Sequence, residues 1–348
     1  MGLNQIISNV LIGLTVALLA CQSPAIPIAE PSRNINSPVT PTTNWNKLPT
    51  FESLAQPLPG GYTRGSDASQ PGELIVYLKS LDGVAPTREQ WVFNYDTYNW
   101  KQKEKAGSMR FNPVEFTLFD QTGRAEFFSG LGYYYRPQQA QPFQYLSDLF
   151  GQPKRGQLPL YPGAKQPTRF FVLGESVFVL EAGGQNNLWE YDDDQPSTGF
   201  QPRPRLPLTG QTDLQTFAIG KQAGYVLVEG NTVRLFQYDP AADRWLRRAD
   251  FPGAGRVRGV AFSLEGRGYY GAGQNIDKPG GLRDIWQYNP ITDTWRRATE
   301  YPGGGQTDLV GHVLRDRAFI GLGYGIEPTK IGTNAYEAQY DLWFYTPD

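Results

Sequence analysis

Short apolar stretches that end in glycine recur along the chain. Examples are Phe127-Phe128-Ser129-Gly130, Val177-Phe178-Val179-Leu180 running on to Gly183-Gly184, Gly268-Tyr269-Tyr270-Gly271 and Ala318-Phe319-Ile320-Gly321. Their length and bounding turn residues predict strands. A further strand precedes them, as at Thr216-Phe217-Ala218-Ile219 and within Val257 to Leu264. An aromatic motif follows: Leu235-Phe236-Gln237-Tyr238-Asp239-Pro240 in one place, Ile285-Trp286-Gln287-Tyr288-Asn289-Pro290 in another. Asp239-Pro240 and Asn289-Pro290 carry the residues of positions i and i+1 of a type I turn. Each is expected to join a third strand to a fourth, which holds Trp245 or Trp295.

The pattern repeats. Weaker copies of the aromatic motif stand at Val92-Phe93-Asn94-Tyr95-Asp96 (with Trp100), Phe143-Gln144-Tyr145, Leu188-Trp189-Glu190-Tyr191-Asp192 and Leu342-Trp343-Phe344-Tyr345. The first ring of each motif falls at 93, 143, 189, 236, 286 and 343, spacings of 50, 46, 47, 50 and 57 residues. A four-stranded unit of about 50 residues fits that period. The glycine doublet followed by a spaced Tyr and Trp resembles the kelch repeat of β-propellers, over residues 45 to 348. The resemblance implies an all-β fold, a six-bladed kelch-type propeller. The chain ends at Thr346-Pro347-Asp348, where other units continue into a Trp-bearing fourth strand, and Asn44-Trp45-Asn46-Lys47 resembles that strand. The N-terminal strand is therefore expected to complete the last blade and close the ring, which removes exposed sheet edges.

The first residues read differently. Ile6 to Ala20 is an apolar run of fifteen residues, shorter than the roughly 20 needed to span a bilayer. It reads as the core of a secretory signal peptide, residues 1–20. Leu18-Leu19-Ala20-Cys21 resembles the bacterial lipobox, which implies lipidation at Cys21, although no Lys or Arg precedes the run. Residues 21–43, with Pro24, Pro27, Pro31, Pro38 and Pro41, read as a tether, and 44–348 as the propeller. The expected setting is the bacterial cell envelope, periplasmic or cell-surface, anchored to a membrane by lipid.

Composition narrows the chemistry. With 32 Lys and Arg against 34 Asp and Glu, the net charge is −2, which excludes a strongly basic nucleic-acid surface. One Cys and one His exclude most multi-ligand transition-metal sites, and no cofactor is expected. The kelch resemblance brings the copper enzyme galactose oxidase to mind, whose site needs two His and a Cys-linked Tyr. His312 alone, with Cys21 at the signal junction, excludes that activity.

Propeller ligands usually lie at the mouth of the central channel, where innermost strands begin. Aligned on the Pro before that strand, Gln166, Gln211, Arg256 and Gln306 fall four residues on, and Thr168, Asp213, Arg258 and Asp308 six residues on. Arg110 and Arg169 start the inner strands of the second and third units, and His312, four residues after Asp308, is expected near the channel. The candidate ligand-binding set is Arg110, Arg169, Asp213, Arg256, Arg258, Asp308 and His312. Two arrangements are open: Asp and Arg pair with one another across blades, or they form a polar pocket in which Arg grips an acceptor bidentately. The expected role is binding of a protein partner or glycan, as a monomer. The alternative is a metal-independent sugar enzyme similar to sialic-acid epimerases, using Asp213, Asp308, Glu115, Arg258 and His312. An insertion from Ile326 to Tyr340 lengthens the last unit and is a further place for a partner.

Overall fold

A computed structural model describes residues 44–49, 62–67, 73–80, 88–106, 114–119, 125–135, 143–145, 149–152, 156–157, 159–163, 168–211, 213–328 and 334–347. Residues 1–43, read above as signal peptide, lipidated Cys21 and tether, lie outside these residues. The described residues are all-β, with no α-helix and one 3₁₀ turn at Pro196–Thr198. They form six four-stranded antiparallel sheets. In chain order, the innermost strands are Tyr62–Asp67, Val114–Phe119, Thr168–Leu173, Leu214–Ile219, Val260–Leu264 and Val310–Leu314. We number the sheets first to sixth accordingly. The sixth has Arg317–Gly321 and Leu342–Tyr345 next, and its outer strand is the N-terminal segment Trp45–Lys47. There Trp45 faces Tyr345, the same register as Trp245 on Tyr238 and Trp295 on Tyr288.

Turn chemistry sets each outer hairpin. Asn94, Asp239 and Asn289 accept backbone N–H groups two residues on, at 3.0, 3.1 and 3.0 Å. The turns close through Tyr98, Asp243 and Asp293 at φ 55, 45 and 51°. Tyr238 and Tyr288 donate their hydroxyls to Asp243 and Asp293 at 2.5 and 2.6 Å, holding a conformation that L-residues seldom adopt.

The core lies between sheets. The central tyrosines pack on the second-strand ring of the preceding sheet: Tyr191 on Phe128, Tyr238 on Phe178, Tyr288 on Tyr225, Tyr345 on Tyr269 and Tyr95 on Phe319. The last contact joins the sixth sheet to the first. The outer tryptophans repeat the pattern with hydrogen bonds. Trp245 donates to Pro204 O, Trp295 to Ala249 O and Trp100 to Pro49 O, each on the outer rim of the neighbouring sheet. These rings serve packing, each filling the space between neighbouring sheets.

One expected strand falls elsewhere. Phe143–Tyr145 pairs with Tyr133–Tyr135 in a separate hairpin, and the third strand of the second sheet is Leu149–Gln152. Leu131 and Gly132, at φ 53 and 72°, turn the chain after Gly130, as Ala272 and Gly273 do after Gly271 in the fifth sheet.

Candidate binding face

The inner strands begin, and the second strands end, on the same face of the molecule. In the column four residues past Pro, however, Arg256 and Gln306 are buried and Gln211 is half-buried. Arg256 has 0% exposure. Its Nη1 and Nη2 donate to Asp284 Oδ1 and Oδ2, both at 2.8 Å, and its Nη1 also to Ala272 O at 3.1 Å. The guanidinium lies over Phe251, 4.7 Å from the ring centroid. Burial pushes the Asp284 carboxyl upward, but the Arg256 hydrogen bonds and charge outweigh this and hold it below the usual carboxylate range. Arg256 is thus a fastener inside the fifth sheet, with no surface left to meet a ligand. In the sixth sheet Gln306 takes its place and donates Nε2 to Gly303 O at 2.6 Å and Asp341 Oδ1 at 3.2 Å. In the fourth, Gln211 accepts from Arg234 at 3.2 Å. The fourth, fifth and sixth sheets thus fill one corner with different charges.

The column two residues further on reaches the surface. Arg258 and Asp308 are 51% and 46% exposed at the side chain and pair across sheets at 3.7 Å. Asp213 is exposed on the fourth sheet. One chain of hydrogen bonds spaces the three. Glu229 N donates to Asp213 O, the Glu229 carboxylate accepts Arg258 N and Gly259 N at 2.8 Å each, and Asp308 N donates to Arg258 O. Arg258 and Asp308 both hold φ near 55° (57 and 53°). Glu229 is buried and also accepts from Tyr270 OH at 2.7 Å. Burial raises its pKa, and the hydrogen bonds from Tyr270 and the two amides offset part of the rise. It positions Arg258 without being at the surface itself, and no sequence motif distinguishes it from any other Glu.

Arg169 is half-buried and donates Nε to Leu214 O at 2.8 Å, so it ties the third sheet to the fourth. Arg110 lies outside the described residues. Glu115 lies on the inner strand of the second sheet.

His312 sits in the packing layer. In four sheets a ring on the first strand stacks on a ring directly opposite on the second: Phe116 on Phe128, Phe171 on Phe178, Phe217 on Tyr225 and Phe262 on Tyr269, with interplanar angles of 3 to 10°. In the sixth sheet this register position is His312, opposite Phe319. Phe171 and Phe217 press on Gly224 and Gly268 of the following sheet. Counting two residues per side from Asp308 misleads here because the left-handed backbone at Asp308 interrupts the alternation of a regular strand. The His312 Nε2 is buried with no hydrogen-bond partner, and burial pushes the imidazole pKa down to about 4.

The insertion forms a hairpin, Tyr324–Pro328 with Asn334–Ala338, which extends Gln306–Thr307 into a three-stranded sheet directly before Asp308. Tyr336 is 47% exposed and donates its hydroxyl to Gln274 Oε1 at 2.8 Å. Gln274 pairs with Val257, the residue before Arg258. Tyr336 is thus linked through Gln274 to the strand that leads into the Arg258–Asp308 pair. Among the described residues, no three His, Cys, Asp or Glu side chains cluster as metal ligands.

No model of a known protein family matches the chain, and no curated protein matches it. Among 485 solved chains that do match in structure, the one described as the structure of YjhT aligns with a TM-score of 0.58 at 12% identity. The alignment covers 85% of this chain and 95% of that one, so the likeness runs through the whole sheet assembly and is a likeness of fold.

Proposed function

We propose that this chain is a lipid-anchored, six-bladed kelch-type β-propeller of the bacterial cell envelope. It binds a protein partner or a glycan on the face where its inner strands begin. Six four-stranded sheets and the Tyr95–Phe319 contact between the sixth and the first favour a closed ring. The observation that carries the binding role is the rim itself. The extra hairpin holds a half-exposed Tyr336 on Gln274, whose strand partner Val257 leads into the exposed Arg258–Asp308 pair, so an aromatic platform and paired polar groups stand on one connected set of strands. An enzyme reading gains less, because His312 belongs to the packing layer and Arg258 already has Asp308 as partner.

The test is binding of the full chain to an array of envelope glycans and to fractionated envelope proteins. Tyr336→Ala is expected to weaken binding about tenfold, roughly 1.4 kcal/mol. Binding that neither Tyr336→Ala nor Arg258→Ala weakens would reject this face. Exchange of sugar anomers in an NMR assay would replace the binding role with a catalytic one. The anchor is tested by acyl labelling, which Cys21→Ala should abolish.

A further inference from the structure

The edge of a sheet can take up another strand, and proteins guard such edges with charge, proline or brevity. The outer strands of this molecule follow that rule. Lys47 stands in the outer strand of the sixth sheet, Lys101 in that of the first, Pro202 and Arg203 in the third, Arg244 and Arg247 in the fourth, and Arg296 and Arg297 in the fifth. The outer strand of the second sheet, Gly156–Gln157, is only two residues long. The hairpin inserted in the last unit is the exception. Its second strand, Asn334–Ala338, is an edge of five residues with no Lys, Arg or Pro.

The pairing fixes which groups this edge presents. Ile326 N donates to Gly305 O at 3.0 Å, and Gln339 N to Gly323 O at 2.9 Å. Ile326 therefore turns its backbone toward Gln306–Thr307, and Tyr336, directly opposite, turns its own the other way. By alternation Asn334, Tyr336 and Ala338 direct their N–H and C=O groups outward, where no described strand meets them. Ala335, Tyr336 and Glu337 are exposed. One face of the hairpin holds the buried Ile326 and Tyr336, which donates to Gln274. The other holds Glu327 and Glu337, both exposed and diagonal to one another. Among the described residues, neither is in an ion pair.

We propose that the Asn334–Ala338 edge takes up an extended segment of a protein partner as an added strand, with Lys or Arg at alternate positions facing Glu327 and Glu337. Backbone hydrogen bonds to Tyr336 and Ala338 supply the attachment, and the two carboxylates select a basic segment. A second copy of the chain is disfavoured, because antiparallel pairing of two such edges would bring four carboxylates to one face. The proposal rests on the protein-partner form of the binding role above and assigns the contact to the edge of the hairpin.

The test measures, by fluorescence anisotropy, binding of the full chain to a short synthetic peptide that alternates Lys with Val and Thr. One control peptide carries Glu in place of Lys. A second has every backbone nitrogen methylated, which keeps the charge but removes the donors a strand needs. The Lys peptide is expected to bind at least about tenfold more tightly than either control. Ala338→Pro removes an outward N–H at an edge, where proline is tolerated, and should weaken binding about tenfold. Glu327→Lys together with Glu337→Lys should turn the preference toward the Glu peptide. Equal binding of the plain and methylated peptides, or no binding of either, would overturn the proposal. So would a preference for Lys that survives the double charge reversal, which decides the matter even if Ala338→Pro does not fold. Envelope-protein binding that Arg258→Ala weakens, with no Lys peptide bound, would reject the edge and leave the Arg258–Asp308 contact standing. Envelope-protein binding that Ala338→Pro weakens and Arg258→Ala does not would place the contact at the edge.

Discussion

The fifth and sixth sheets share strand register, turn positions and the Trp–carboxylate contact, yet fill two of their buried positions with opposite chemistry. The fifth has Arg256 on Asp284 and Phe262 on Tyr269, both satisfied. The sixth has Gln306 on Asp341 and His312 against Phe319, and in each a polar atom is buried without a partner, Gln306 Oε1 and His312 Nε2. Repetition preserves shape more strictly than polarity. A ring or a planar polar group suits either position, whereas the hydrogen bonds that satisfy it depend on the particular neighbours. The fifth sheet is accordingly the firm half of the pair, and the sixth holds buried polar atoms without partners.

Breaking the firm half should have the largest effect. Arg256→Ala leaves the Asp284 carboxylate buried without its counter-charge, and a loss of about 3–5 kcal/mol is expected in denaturant unfolding. A loss below about 1 kcal/mol would show that the corner is far wetter than its burial indicates.

The His312 position should come next. Folding holds its pKa at about 4 against 6.5 unfolded, so below pH 6.5 the unfolded chain binds the extra proton. Stability is fully present above pH 6.5 and falls as the pH drops toward 4, by up to about 3 kcal/mol. His312→Phe restores the ring found in the second to fifth sheets. It should remove this share of the acid loss, read as the difference between the two chains' stabilities across pH 4 to 7. Parallel profiles would mean that His312 is solvated.

The smallest effect belongs to the face. Arg258→Ala breaks a pair about half exposed on both sides and is expected to cost less than about 1 kcal/mol. A larger loss would make Arg258 a structural element like Arg256, two residues away, and would remove it from the binding rim.

Much of the strand pattern was legible because its causes are local. Asp239-Pro240 and Asn289-Pro290 carry their turn in their own side chains, and Trp45 declares its strand by matching Trp295. Phe143-Gln144-Tyr145 matched the motif more weakly, and it pairs with Tyr133–Tyr135, a strand that the repeat did not announce. The candidate site was legible only in part. Arg256 and Arg258 differ by two residues and have the same side chain, yet one is fully enclosed and the other half exposed. Glu229, which fixes Arg258, carried no signal because its role depends on amides of another sheet.

The sequence by itself determined the repeat, its period, the turns and the rings that pack sheet on sheet. These follow from short-range alternation, turn residues and recurrence. Only the tertiary structure decided which polar residues are fasteners and which face solvent. A side chain's burial depends on what the neighbouring sheet presents, and a single left-handed residue, as at Asp308, shifts every later side chain from one side of its strand to the other.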